Sequence, residues 1–233
     1  MKRIFVPTKC GSDWQHLLAK PKLHWKLGRS AMTAAASWES ASDRLPQEIQ
    51  TLLDSSSDSV LVGQSLLIAI PEWQVPLPGG VTSSCTDVLA ICRNEIGLCI
   101  LGVEAKVDED FGPQLIEKRA EATSGQAERL KHLCELLQVE GFDDAIRYQL
   151  LHRTASALIT ARDFHAAAAV MLVHAFETPA AQRADFESFR AAMKAERVAN
   201  LLYKVPGFDQ PALYLAWCDG NSEYRKRELP NAI

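Results

Sequence analysis

The sequence predicts an α/β fold, a mixed β-sheet flanked by helices. Three observations carry this. Apolar residues at helical spacing precede three strand-like runs separated by turn signals. A long helical region follows. A continuous apolar run over 166–176, containing Val170, Met171, Leu172 and Val173, then reads as a strand buried on both faces. With 233 residues, 47% of them apolar, the chain can build one substantial core, so a single domain over 1–233 is expected.

The elements follow in order. The first forty residues look partly irregular. Ser30 stands where it can cap an alanine-rich helix through Ser40. Asp43 can cap a second helix, with Pro46 in its first turn and Leu45, Ile49, Leu52 and Leu53 along one side. After a polar break at 54–59 come strands over 65–73, 86–93 and 98–107, divided by Pro76, Pro78, Gly79 and Gly80 and then by a turn at Asn94 and Gly97. Their spacing predicts an antiparallel meander. Pro113 fits the first turn of a long helical region to Val139, interrupted at Gly125. Asp143 or Asp144 can cap the next helix, which ends near Arg162. Beyond the 166–176 strand, a helix over 185–194 and a last strand over 213–218 complete the chain.

Composition excludes several classes. A net charge of −4 argues against a protein that coats nucleic acid through bulk charge. Local basic stretches remain: Trp14 to Trp38 holds Lys20, Lys22, Lys26 and Arg29 with no acidic residue, and Arg225, Lys226 and Arg227 form a second run. Such runs serve either as solvated surface or as phosphate contacts. The six cysteines lack C-x-x-C or zinc-site spacing, and Cys92 and Cys99 lie in apolar runs, which suits a reduced, cytoplasmic chain. The basic start at 1–7 is followed by too short an apolar run for a secretory signal, and no stretch reaches membrane-span length.

The chemistry concentrates on the second and third strands. Asp87 opens one, and Glu104 and Lys106 lie near the end of the next. Residues two apart in a strand share a face, so Glu104 and Lys106 point the same way. Counting outward from the turn at Asn94 to Gly97 places Asp87 opposite this region. Two carboxylates and an ammonium would then converge at one sheet end. Carboxylates bind Mg²⁺ (or Mn²⁺) and leave positions for water and phosphate. The ion can polarise a phosphodiester and acidify an attacking water, while a nearby lysine orients that water or offsets developing charge. The competing reading is a structural salt bridge.

The segment from Asp87 to Lys106, within the order α-β-β-β-α-β, resembles the PD-(D/E)XK nuclease superfamily, the restriction-endonuclease-like fold. The likeness covers a core of about 30–176, although the motif itself is three residues. The resemblance implies Asp87 and Glu104 as metal ligands, the backbone carbonyl of Ala105 as a further ligand, Lys106 as the catalytic lysine, and DNA or RNA as substrate. The usual proline before the Asp is replaced here by Thr86. Many members add a Glu from the first helix, for which Glu39 and Glu48 are candidates, with Glu72 at the end of the first strand as a third. Asp108 continues the Lys106 strand face; it, Glu109 and Asp110 otherwise suit the helix start before Pro113. The chain as a whole is also similar to bacterial proteins of an uncharacterised family, which implies no substrate.

One helix adds a polar stripe. Gln149, His152, Arg153, Ser156 and Thr160 fall on one side of an otherwise apolar segment. Such a stripe is costly unless paired or facing a cleft. Gln149, Arg153 and His152 are therefore candidates for holding phosphate or base beside the metal, hydrogen bonding to backbone being the alternative. No phosphate-binding Gly-rich loop, H-E-x-x-H or G-x-S-x-G occurs. The expected activity is metal-dependent phosphodiester hydrolysis of nucleic acid. The alternative is a non-catalytic nucleic-acid- or protein-binding member of the same fold, a subunit of a larger bacterial system.

Overall fold

The computed structural model describes residues 9–120 and 122–232; the basic start at 1–7 lies outside them. The chain is α/β, with a seven-stranded mixed sheet flanked by helices. In chain order the elements are α1 (Pro21–His24), α2 (Ser30–Ala41), α3 (Gln47–Asp54), β1 (Ser65–Val75), β2 (Ser84–Arg93), β3 (Leu98–Lys106), α4 (Leu115–Ala120), α5 (Ser124–Leu136), α6 (Tyr148–Asp163), β4 (Ala168–Ala175), α7 (Ala180–Ala192), β5 (Glu196–Ala199), β6 (Leu202–Asp209) and β7 (Ala212–Asp219). Short 3₁₀ turns at Gly11–Leu17 and Ser222–Lys226 complete it.

The sheet order is β1-β2-β3-β4-β7-β6-β5. The pairs β1/β2 and β2/β3 form the antiparallel meander, while β3/β4 and β4/β7 are parallel. Strand β4 is buried at every position, as expected of a strand covered on both faces. Two apolar layers sandwich the sheet. One packs Leu89, Ile100 and Met171 against Leu150, Leu158 and Phe186 of α6 and α7; the other packs Val88, Leu101 and Leu172 against Met32, Trp38 and Ile49 of α2 and α3. Among the described residues, no helix is long and apolar enough to cross a membrane. All six cysteines are free thiols, with Cys92 and Cys99 buried.

Helix starts differ from the expected caps. Arg29, not Ser30, precedes α2, because the Ser30 backbone N–H and hydroxyl both turn to Glu109. Pro46 rather than Asp43 precedes α3, and Asp43 pairs with Arg44 on the surface. The helix expected from Pro113 begins at Leu115 and is divided before α5, where Thr123 and Gln126 form a capping box, so the break precedes Gly125. Arg147 precedes α6, and Asp143 instead accepts the Ala145 N–H in a turn. Helix α7 starts at Ala180, five positions before the expected 185. Strands β5 and β6 were not anticipated: β5 is four residues long, and β6 carries Pro206 and Gly207, which mask its pattern.

Candidate active site

The turn at Asn94 to Gly97 fixes the register. The Asn94 side-chain oxygen accepts the N–H groups of Ile96 and Gly97, and β2/β3 pairing then runs from Arg93 opposite Leu98 to Val88 opposite Val103. The next position on each strand is Asp87 and Glu104. Regular pairing stops there, and the Asp87 Oδ2 takes the Ala105 N–H at 2.7 Å. The carboxylate thus replaces a ladder bond where the two strands part.

Helix α6 supplies the other wall. A Cβ on Gly102 would stand 3.0 Å from the Ala157 Cβ, so the missing side chain lets α6 sit directly on β3. Two strand residues advance about 6.6 Å and four helical residues about 6 Å. The steps match, so Arg153 lies over Glu104 and Gln149 near Lys106, as Ala157 lies over Gly102. The contacts follow from this registry. Glu104 accepts hydrogen bonds from the Arg153 Nε and from the Gln149 Nε2 at 2.7 Å. The Lys106 Nζ is 2.9 Å from the Glu104 Oε1 and donates to the Gln149 Oε1 at 3.0 Å. Lys106 also lies over the Phe111 ring, 5.0 Å from its centroid.

The stripe on α6 divides in function along its length. Arg153 Nη1 donates to the Ser84 hydroxyl at 3.1 Å, and Ser84 bonds the His152 Nδ1 at 2.8 Å, so His152 supports Arg153 at one remove. Lower down, the Ser156 hydroxyl donates to the His152 carbonyl, and Thr160 accepts the Trp73 indole N–H. Those two satisfy local groups outside the cluster.

Of the further carboxylates considered, one joins. Glu72, in the left-handed region with φ +54°, accepts the Cys85 thiol at 2.9 Å and lies near enough to Asp87 and Glu104 to interact electrostatically. Such a backbone is strained for a non-glycine residue. No sequence signal marks this turn of the backbone. Glu39 accepts the Trp14 indole N–H, Glu48 pairs with the buried His174 at 3.0 Å, and Asp108 pairs with Arg225 at 2.8 Å. Glu109 and Asp110 hold the Val107 and Gly112 N–H groups rather than capping a helix at Pro113.

Charge is distributed unevenly. Burial raises the pKa of Glu104, but Arg153 and then Lys106 outweigh it and hold the carboxyl at about 2. Asp87 goes the other way: burial, then the charges of Glu104 and Glu72, push its carboxyl well above the usual range. Burial also raises Glu72. The His152 imidazole is pushed down to about 3 by burial first and by Arg153 second. The site therefore holds one firmly ionised carboxylate and two that resist ionising together, the usual signature of crowded acids.

That surplus of acid oxygens suits a hard divalent cation, because carboxylates and a backbone carbonyl are its ordinary ligands. Asp87 and Glu72 keep partial exposure, whereas Glu104 is sealed by its three donors. Among the described residues, no group of three or more His, Cys, Asp or Glu side chains is arranged to hold a metal ion. Asp87, Glu104 and Glu72 are thus not arranged around a single ion, and a metal here would rest on two carboxylates and a main-chain oxygen.

A family model described as Domain of unknown function (DUF6946) matches residues 7–222. No curated protein and no solved structure matches the chain.

Proposed function

We propose that this chain, which belongs to the family described as Domain of unknown function (DUF6946), is a cytoplasmic, metal-dependent nuclease of the PD-(D/E)XK type that hydrolyses phosphodiester bonds in nucleic acid. One observation carries the reading. Asp87, Glu104 and Lys106 meet where β2 and β3 part, and Gln149 bridges Glu104 to Lys106. Asp87, Glu104 and the Ala105 carbonyl would hold Mg²⁺ or Mn²⁺. When bound, the ion supplies Lewis-acid polarisation of the phosphodiester and acidifies its water. Lys106 orients the attacking water or neutralises charge arising on the phosphate. Arg153 and Gln149 fix the Glu104 carboxylate, and the Ser84–His152 pair fixes Arg153. A phosphate entering the site would compete with Glu104 for the same donors.

A second reading has its own support. Glu104, Lys106 and Arg153 are only 3%, 5% and 9% exposed, as in a polar network that specifies a fold rather than one that meets substrate. That reading makes the chain a non-catalytic nucleic-acid- or protein-binding member of the same fold. Titration calorimetry with Mg²⁺ and Mn²⁺, beside cleavage of single- and double-stranded DNA and RNA, separates the two. Metal-dependent cleavage lost in Lys106→Ala supports the nuclease. A parent protein that neither binds metal nor cuts any of the four substrates leaves the binding module.

A further inference from the structure

The basic stretch in the first forty residues is not used by the site, and the fold gives it a definite place. Lys20, Lys22, Lys26 and Arg29 are all exposed, and none of them forms an ion pair among the described residues. The second basic run contrasts with it. Arg225 pairs with Asp108 and Glu177, and Lys226 pairs with Glu223, so two of its three charges are compensated. The first stretch is also held on a scaffold. Trp25 is buried, with its indole N–H donating to the Pro230 carbonyl at 3.3 Å, and the Gly28 turn lies against the Arg225 carbonyl.

The stretch ends at the loop that follows β3. Arg29 is followed by Ser30, whose N–H and hydroxyl reach Glu109 at 3.1 and 3.2 Å. The other Glu109 oxygen takes the N–H of Val107, the residue after Lys106. The free cations therefore reach the same end of β3 from the α2 face of the sheet, opposite the face on which α6 covers Glu104 and Lys106. Between them, Leu23 and Leu27 are 55% and 51% exposed, which sets apolar surface among the cations.

We propose that Lys20, Lys22, Lys26 and Arg29, with Leu23 and Leu27, form the surface on which an unpaired nucleic-acid strand docks at the sheet end that carries the Asp87–Glu104 site; the choice of partner rests on the nuclease reading. Uncompensated cations match a row of phosphates. Exposed leucines bury area against already unstacked bases without cost, whereas in a duplex they would first have to wedge a base step apart. Contact through charge and apolar packing also requires no particular base sequence.

The test is direct binding in EDTA, where no metal-dependent cleavage occurs. A fluorescein-labelled oligonucleotide of mixed sequence, single-stranded or annealed, is titrated with the full chain and with the quadruple Lys20→Ala, Lys22→Ala, Lys26→Ala, Arg29→Ala variant. The parent is expected to favour the single strand. The variant should bind about tenfold more weakly or worse, and its slope of log affinity against log salt should shrink by about 3, as for four lost phosphate contacts. Leu23→Ser with Leu27→Ser should reduce the preference for the single strand while leaving the salt slope in place. Equal binding by parent and quadruple variant overturns the proposal. So does a preference for duplex, or binding to anionic phosphatidylglycerol vesicles with none to oligonucleotides, which would make the surface a membrane contact. The two readings fail separately: a strand bound through this surface but never cut with Mg²⁺ or Mn²⁺ removes the nuclease and keeps the docking surface. Cleavage with binding that ignores these residues does the reverse.

Discussion

Replacing Arg153 by Met keeps the volume of the α6 contact and removes the guanidinium from Glu104. The parent carboxyl sits at about 2 instead of its usual 4.5. Each tenfold change in proton affinity is worth about 1.4 kcal/mol, so Arg153 and Lys106 together contribute about 3 kcal/mol net of burial. Breaking a buried pair from one side costs about 3–5 kcal/mol. Here Lys106 at 2.9 Å and Gln149 at 2.7 Å remain on Glu104, which points to the lower end of that range. Urea unfolding followed by circular dichroism would read a midpoint lowered by about 1–2 M at an unchanged slope. The pH dependence has a definite sign. A folded-state pKa depressed to about 2 gives the parent stability that is complete above the unfolded value near 4.5 and fades as the pH falls through 2. In Arg153→Met the carboxyl titrates higher, so folded variant takes up a proton that folded parent does not. The gap between the two is full at neutral pH and narrows as the pH falls below the variant's carboxyl pKa toward about 2. Adding Glu104→Gln should recover part of the loss, because the orphaned charge is gone. A loss below about 1 kcal/mol at neutral pH, or a gap that does not change with pH, would refute the claim that this pair governs the cluster.

Lys106→Ala should abolish cleavage yet keep metal binding in calorimetry, since the carboxylates supply the charge for the ion. Asp87→Asn should lose metal binding but raise the melting temperature of the metal-free protein, because burial and the neighbouring Glu104 and Glu72 oppose ionisation of Asp87 while the amide oxygen can still accept the Ala105 N–H; a lower melting temperature would refute that repulsion. The His152 ring, held neutral down to about 3, should show no titration by NMR between pH 8 and about 4; its depressed pKa removes stability as the pH falls from the usual 6.5 to about 3, because the unfolded chain protonates first. Gly102→Val should destabilise by about 1–3 kcal/mol and lower any activity with it, since the added methyls push Ala157, and with it Arg153 and Gln149, away from β3; chemical denaturation and the cleavage assay check both.

Periodicity alone located the meander, the buried β4 and the helix that crosses between β3 and β4. Alternating or continuous apolar runs report burial directly, and turn residues at Asn94 and Gly97 set the hairpin register that brings Asp87 beside Glu104. Gln149 and Arg153 were also legible, because a polar stripe on a buried helix must find partners. Helix starts were not. Ser30, Asp43 and Asp143 have the chemistry of caps, yet each satisfies another group, and propensity cannot show which donor lies nearest.

What the sequence determined by itself is the α/β class, the order of its central elements and the convergence of Asp87, Glu104 and Lys106, all consequences of short-range pattern and hairpin counting. Tertiary structure alone decided three things. It chose Glu72 over Glu39, Glu48 and Asp108, through a left-handed backbone at Glu72 that no residue preference predicts. It closed Glu104 beneath Arg153, because Gly102 admits Ala157 and the helix and strand steps then coincide. It left one basic run uncompensated and neutralised much of the other, since ion pairs such as Arg225 with Asp108 join residues far apart in the chain. Charge pairing depends on distance through space, and only the fold sets that distance.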